Sequence, residues 1–156
     1  MGVDRERAKV LDVLGCLREL ELVLAEFYAV CRDAWPESDA FWTELLQGEL
    51  RHATYLTDAV RFVEERPEVF ITPRHVDERP VVEQTAYVRE RLCQLWAERL
   101  GERAALIISR DIEQAIIGAK LYEFVRSEEP RYARLVDEVV SETREHARLV
   151  QEQLDR

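Results

Sequence analysis

Apolar residues recur along most of the chain at intervals of three and four, the pattern of helices that bury one face. From about Asp4 to Ala34, Leu14, Leu17, Leu24 and Tyr28 fall on one stripe, with Glu21 in its middle. Glu19 and Glu26 fall off that stripe and are expected in solvent. Trp35-Pro36-Glu37-Ser38 closes the segment, because proline biases its predecessor away from the helical region, and Ser38 stands where it can cap the next helix. A second helix is predicted from Asp39 to Glu65, with Trp42, Leu45, Leu56 and Val63 inward and Pro67 beyond its end. Periodicity lapses from Glu68 to Pro80, where Pro73, Pro80 and a solvated His75 mark a connection. A shorter helix over about 82–100 would bury Tyr87, Leu92, Leu95 and Trp96, with Gly101 as its breaker. A third long helix runs from about Glu102 to Ser127, with Leu106, Ile116, Ile117, Lys120 and Phe124 bracketing Glu113. Glu128-Glu129-Pro130 turns the chain into a fourth, about 131–155, whose inward stripe is Leu135, Val139, Glu142, His146 and Leu149. The expected architecture is all-α. It is a single domain over 1–156, an antiparallel four-helix bundle whose 67–101 connection, between the second and third helices, carries an extra short helix.

Polar residues interrupt this pattern at a few inward positions. Glu49 and His52 are three residues apart in the second helix, which puts both on the face of Trp42, Leu45, Leu56 and Val63. A carboxylate and an imidazole buried together are costly unless something compensates them, and on a bundle helix a Glu-x-x-His pair is commonly compensated by a metal ion. Glu113 is again a lone acid in an apolar run, Ile112-Glu113-Gln114-Ala115-Ile116-Ile117. The plainer alternatives are a chance Glu-x-x-His on a surface, a Glu113 paired with Lys120 or Arg110, a Tyr28 that is simply packed, and three tryptophans serving as core and hairpin anchors.

The halves of the chain repeat. Shifted by 94 positions, Tyr28 meets Tyr122, Pro36 meets Pro130, His52 meets His146 and Ala53 meets Ala147, while Phe41, Leu45 and Leu46 meet Leu135, Val139 and Val140. The register is imperfect. Glu19 rather than Glu21 meets Glu113, and Glu49 meets Thr143. The face argument favours Glu21. In the fourth helix Glu142 lies four residues before His146, close to one face with it, whereas Glu145 points about 100° away.

Composition narrows the partners. A net charge of −10, with 22 Lys and Arg interspersed among the acids, argues against nucleic acid or an anionic membrane. No apolar run approaches the roughly 20 residues that cross a bilayer. The N-terminus lacks a signal peptide's apolar core, and Glu6 stands where a myristoylation motif wants Ser or Thr. Cys16, Cys31 and Cys93 are widely spaced and read as reduced thiols of a cytoplasmic protein.

Taken together, Glu26-Phe27-Tyr28, Pro36, Phe41-Trp42-Thr43-Glu44-Leu45 and Glu49-Leu50-Arg51-His52-Ala53 resemble the first hairpin of the rubrerythrin-like diiron branch of the ferritin-like superfamily. Ile112-Glu113-Gln114-Ala115 and Glu142-Thr143-Arg144-Glu145-His146 resemble its second. The resemblance covers the chain outside 67–101. It implies two iron ions, with manganese as the alternative, held by Glu21, Glu49, His52, Glu113, Glu142 and His146. Thr143 stands where the family has the glutamate of its second Glu-x-x-His, so Glu142 is the expected substitute. Two ions about 3.5–4 Å apart need bridging carboxylates, and carboxylate with imidazole and no thiolate suits iron or manganese. The implied activity is peroxidase, ferroxidase or oxidase chemistry on peroxide, dioxygen or ferrous iron. Tyr28 is expected to hydrogen-bond a ligand carboxylate or relay an electron. No Cys-x-x-Cys pair is present, so the electron donor would be a separate molecule. A homodimer is the expected assembly. The opposing reading is a binding or scaffold bundle with a degenerate site.

Overall fold

The computed structural model describes residues 2–73 and 77–156; His75 lies outside them. Five helices dominate: α1 (Gly2–Ala34), α2 (Asp39–Glu65), α3 (Arg79–Trp96), α4 (Glu102–Gly118) and α5 (Pro130–Leu154). The fold is all-α apart from two-residue strands β1 (Phe70–Ile71) and β2 (Arg126–Ser127), which pair antiparallel with Phe70 opposite Ser127. No helix among the described residues is long and apolar enough to cross a membrane.

Helices α1 and α2 pack along each other, α4 pairs with α5, α3 lies on α1, and α5 also meets α2. The predicted stripes of α1 and α2 make this core: Leu14, Leu17, Leu24, Tyr28, Trp42, Leu45 and Val63 are completely buried. Each such apolar side chain stabilises the fold by roughly 1.5–3 kcal/mol. The connection is tied down at one point, where the Thr72 amide and hydroxyl both donate to Glu6 Oε1, at 2.5 and 2.8 Å.

Several boundaries and faces differ from the sequence expectation. Ser38 occupies the N-cap of α2, but its side chain makes no cap hydrogen bond. Helix α3 starts at Arg79, with Pro80 in its first turn, and ends at Trp96. It buries Val81, Thr85, Val88, Leu92 and Leu95, whereas Trp96 is 58 % exposed and Tyr87 carries the Arg91 guanidinium over its ring. The chain turns at Glu98, which takes the left-handed conformation (φ 54°), and Gly101 serves as the N-cap of α4. Helix α4 stops at Gly118, nine residues short of Ser127. Lys120 adopts φ 51°, a left-handed conformation that costs a non-glycine residue about 1–2 kcal/mol. The apolar residues that continue the helical period, Leu121 and Phe124, instead lie in and just after a 3-10 turn over Leu121–Glu123. The buried stripe of α5 is Leu135, Val139, Thr143, His146 and Val150, which rotates Glu142 and Leu149 off the inward line.

Candidate metal centre

Helices α1, α2, α4 and α5 bring five polar side chains into the apolar core. Glu21, Glu49, His52, Glu113 and His146 are all at least 96 % buried. They form two groups sharing one member, Glu21–Glu49–His52 and Glu49–Glu113–His146, and within each group one ligand atom per residue lies within 4.8 Å of the others. Both histidines present Nδ1 to the acids. His52 Nδ1 is 3.0 Å from Glu49 Oε2 and 3.7 Å from Glu21 Oε2. His146 Nδ1 is 2.8 Å from Glu49 Oε1 and 3.5 Å from Glu113 Oε1. Glu49 therefore turns one oxygen to each imidazole, and the two rings stack with centroids 5.6 Å apart.

No Lys or Arg pairs with the three acids among the described residues. Arg110 is bound to Asp111, and Lys120 is exposed, so neither answers Glu113. Four buried side-chain polar atoms lack a hydrogen-bond partner among the described residues. Three are Glu21 Oε2, Glu49 Oε1 and His146 Nδ1. The last two lie within ion-pair distance, yet off the line a hydrogen bond requires. An unmade buried hydrogen bond costs about 1–3 kcal/mol. All three atoms belong to the two overlapping groups, whose carboxylate and imidazole donors fit metal ions, and each group could hold one.

Protons partly fill that role in the metal-free protein. Burial, with the negative charge of Glu113 and Glu21, raises Glu49 to about 8. Burial opposes the charged form of His52, but hydrogen bonds and charge from Glu21 and Glu49 outweigh it and hold His52 at about 11. His146 is likewise held at about 10 by Glu113 and Glu49 against its burial. Desolvation would raise Glu21, but the positive charge of His52, 3.7 Å away, outweighs it, and Glu21 is lowered. Divalent cations would displace these protons.

Two tyrosines close the site crosswise. The Tyr28 hydroxyl, from α1, donates to Glu113 Oε1 of α4 at 2.6 Å, and the Tyr122 hydroxyl donates to Glu21 Oε1 of α1. Burial first, then the facing carboxylate, raises both phenols far above their ordinary range, so they stay donors. Tyr28 was expected to bond a ligand carboxylate or relay an electron; the structure puts its hydroxyl on Glu113, across the two halves. Tyr122 was not singled out, although its pairing with Tyr28 in the repeat marks it.

Glu142 is not with the other acids. It is partly exposed, belongs to neither group, and bonds the outer face of His52 at Nε2 (3.0 Å) and Arg51 (3.3 Å). The residue facing inward from that turn is Thr143, whose hydroxyl donates to the Val139 carbonyl. Gly48 is the other residue the sequence reading passed over. A Cβ there would overlap Nε2 and Cε1 of His146, so the ring sits directly on the α2 backbone. No protein-family model, curated protein or solved structure matches this chain.

Proposed function

We propose that the chain is a ferritin-like protein of the rubrerythrin-type diiron-carboxylate branch. On this reading α1, α2, α4 and α5 form an antiparallel four-helix bundle, and α3 belongs to the connection. Glu21 and His52 would hold one ion, Glu113 and His146 the other, and Glu49 both. The observation that carries the reading is the two buried Glu/His groups that share Glu49, in which Glu21 Oε2, Glu49 Oε1 and His146 Nδ1 have no hydrogen-bond partner among the described residues. Carboxylate and imidazole ligands without thiolate suit iron, with manganese as the alternative.

Bound iron supplies the electrons that reduce peroxide or dioxygen, or the oxidising centre for ferrous iron as substrate. The protein's own groups orient and insulate. Tyr28 and Tyr122 fix Oε1 of Glu113 and of Glu21; Glu21 keeps Oε2 toward His52, while Glu113 presents the same Oε1 to Tyr28 and His146. Glu142 accepts from His52 Nε2 and so selects the tautomer whose Nδ1 lone pair points inward. Trp42, Tyr28 and Ile112, all fully buried, keep bulk water from the acids. Tyr28 is positioned to relay an electron to the Glu113 side. An external donor would supply the electrons.

Metal analysis of anaerobically purified protein tests this. The expected result is about two irons per chain, both lost on Glu49→Ala; a protein with no bound transition metal overturns it. One observation favours a second reading, a metal-binding bundle without redox activity: Thr143 withholds the fourth inward carboxylate. Oxidation of the reduced protein by peroxide, followed by absorbance, separates the two.

A further inference from the structure

A pocket of about 280 Å³ opens between the end of α4, the 3-10 turn that follows it, and α5. Its walls are apolar: Ile116, Ile117, Leu121 and Val140. Its inner end is Tyr122 and Thr143, both buried, and Tyr122 is bonded to Glu21 of the candidate centre. Tyr122 holds Glu21, and Thr143 precedes His146 by one turn, where a carboxylate would close the space. Its outer rim is Lys120, Arg144 and Glu123, all exposed. Neither rim cation makes an ion pair among the described residues, and Lys120 is the residue held in the left-handed conformation. A residue strained at a pocket mouth is held there by its surroundings, and such residues cluster at ligand sites.

We infer that this pocket binds a small organic anion with an apolar body, its charged end at Lys120 and Arg144 and its apolar end against Thr143 and Tyr122. Three features select that class. The rim carries net positive charge on a chain whose overall charge is −10, so a local anion site stands against the general field. The walls offer apolar contact with few polar groups, as ligand pockets do. The depth ends at residues adjoining the metal ligands, so the buried end of such a molecule would lie beside that centre. Binding draws on the pocket alone and stands whether or not the centre holds metal.

Calorimetric titration of the full chain with octanoate, below its micelle-forming concentration, tests the inference in metal-free and metal-treated protein. The expected result is saturable binding of one octanoate per chain in both. Lys120→Glu with Arg144→Glu should weaken it about ten-fold or more, both positions being exposed and compatible with an intact fold. Val140→Trp, which fills the pocket, should abolish it, with circular dichroism confirming the helices. Octylammonium should bind at least ten-fold more weakly than octanoate. Non-saturable binding, equal affinity for octylammonium, or indifference to the rim charge reversals overturns the proposal.

Discussion

The two hairpins of this protein carry the same parts in different positions. Each supplies an inward glutamate from its first helix, an inward histidine from its second, and a tyrosine that reaches across to the other's glutamate. They part at two consecutive residues. The first half has Gly48-Glu49, and the second, 94 positions on, has Glu142-Thr143. One residue along a helix is a rotation of about 100°. At the earlier position a side chain faces the outer edge of the other half's histidine; at the later one it faces the centre. So Glu49 reaches both imidazoles while Thr143 reaches neither, and Glu142 backs His52 while Gly48 leaves His146 with nothing but backbone behind it. One half contributes the shared carboxylate, and the other contributes an open side. The difference teaches that a near-repeat can build two unequal Glu/His clusters by moving one acid a single residue.

Gly48→Ala breaks this comparison most directly. A Cβ at Gly48 collides with the His146 ring, which has no room to retreat at 4 % exposure. Overpacking costs about 1–3 kcal/mol, and the gain in helix propensity from glycine to alanine returns only about 1. The expected outcome is a net stability loss of up to about 2 kcal/mol in urea unfolding, together with the loss of one bound metal of the two, the Glu113–His146 position. Retention of both metals at unchanged stability would show that Gly48 is not what seats His146.

Protonation stabilises the metal-free cluster, and metal should reverse the sign of its pH dependence. Glu49, His52 and His146 are all raised, to about 8, 11 and 10. The native metal-free protein therefore holds protons that the unfolded chain releases, from near pH 4.5 for Glu49 and near 6.5 for the histidines. Stability must fall as pH rises above those values, and keeps falling until the folded pKa values are passed. With metal bound the same groups are deprotonated in the native state, so the unfolded histidines bind more protons and stability rises up to about pH 6.5. Thermal melts at about pH 5, 6 and 7 should slope downward without metal and upward with it. A metal-free melting temperature that climbs over this range contradicts the assignment.

Glu142→Gln acts on one half only. It leaves a hydrogen-bonding group at His52 Nε2 but removes the charge that makes the imidazole a better donor. Loss of such an outer partner typically costs 10–100-fold in metal affinity. Stepwise metal titration should show the Glu21–His52 position weakened by about that factor, with the Glu113–His146 position unchanged. Equal weakening at both would mean that Glu142 acts through the shared Glu49, not through His52.

Much of this was readable from residue spacing, and the failures have a common cause. Glu49 and His52 were legible because three residues place them beside Trp42, Leu45 and Leu56, and Glu21 because it sits within a leucine stripe; all are buried as expected. Glu142 was misplaced because helical phase drifts along a 25-residue helix. Leu135 and Val139 fit an inward line through either 142 or 143, and only the packing chooses. The end of α4 was hidden for a related reason. Leu121 and Phe124 keep the helical period after the backbone has left the helix, and lysine is not a residue that announces a left-handed turn. Tyr122 was paired with Tyr28 by the repeat, but a continuous helix there gave no sign that its hydroxyl reaches Glu21. Trp96 shows the limit of composition: a large aromatic reads as an anchor, yet it stands exposed at a helix end.

The crossed tyrosines give the finest measure of how alike the halves are. Each hydroxyl donates to a buried carboxylate of the opposite half, and each is held protonated by burial and by that carboxylate. Hydrogen bonds to charged groups contribute about 1.5–3 kcal/mol, and removing the donor leaves a buried oxygen unpaired. Tyr28→Phe and Tyr122→Phe should therefore each destabilise the metal-free protein by that amount and differ from one another by less than about 0.5 kcal/mol. The redox reading predicts a split elsewhere. If Tyr28 relays electrons, Tyr28→Phe slows peroxide-driven reoxidation of the metal-loaded protein beyond what its stability loss explains, while Tyr122→Phe, at the inner end of the pocket, does not. Reoxidation unchanged by Tyr28→Phe would reduce both tyrosines to a single role, holding a carboxylate of the opposite half in place.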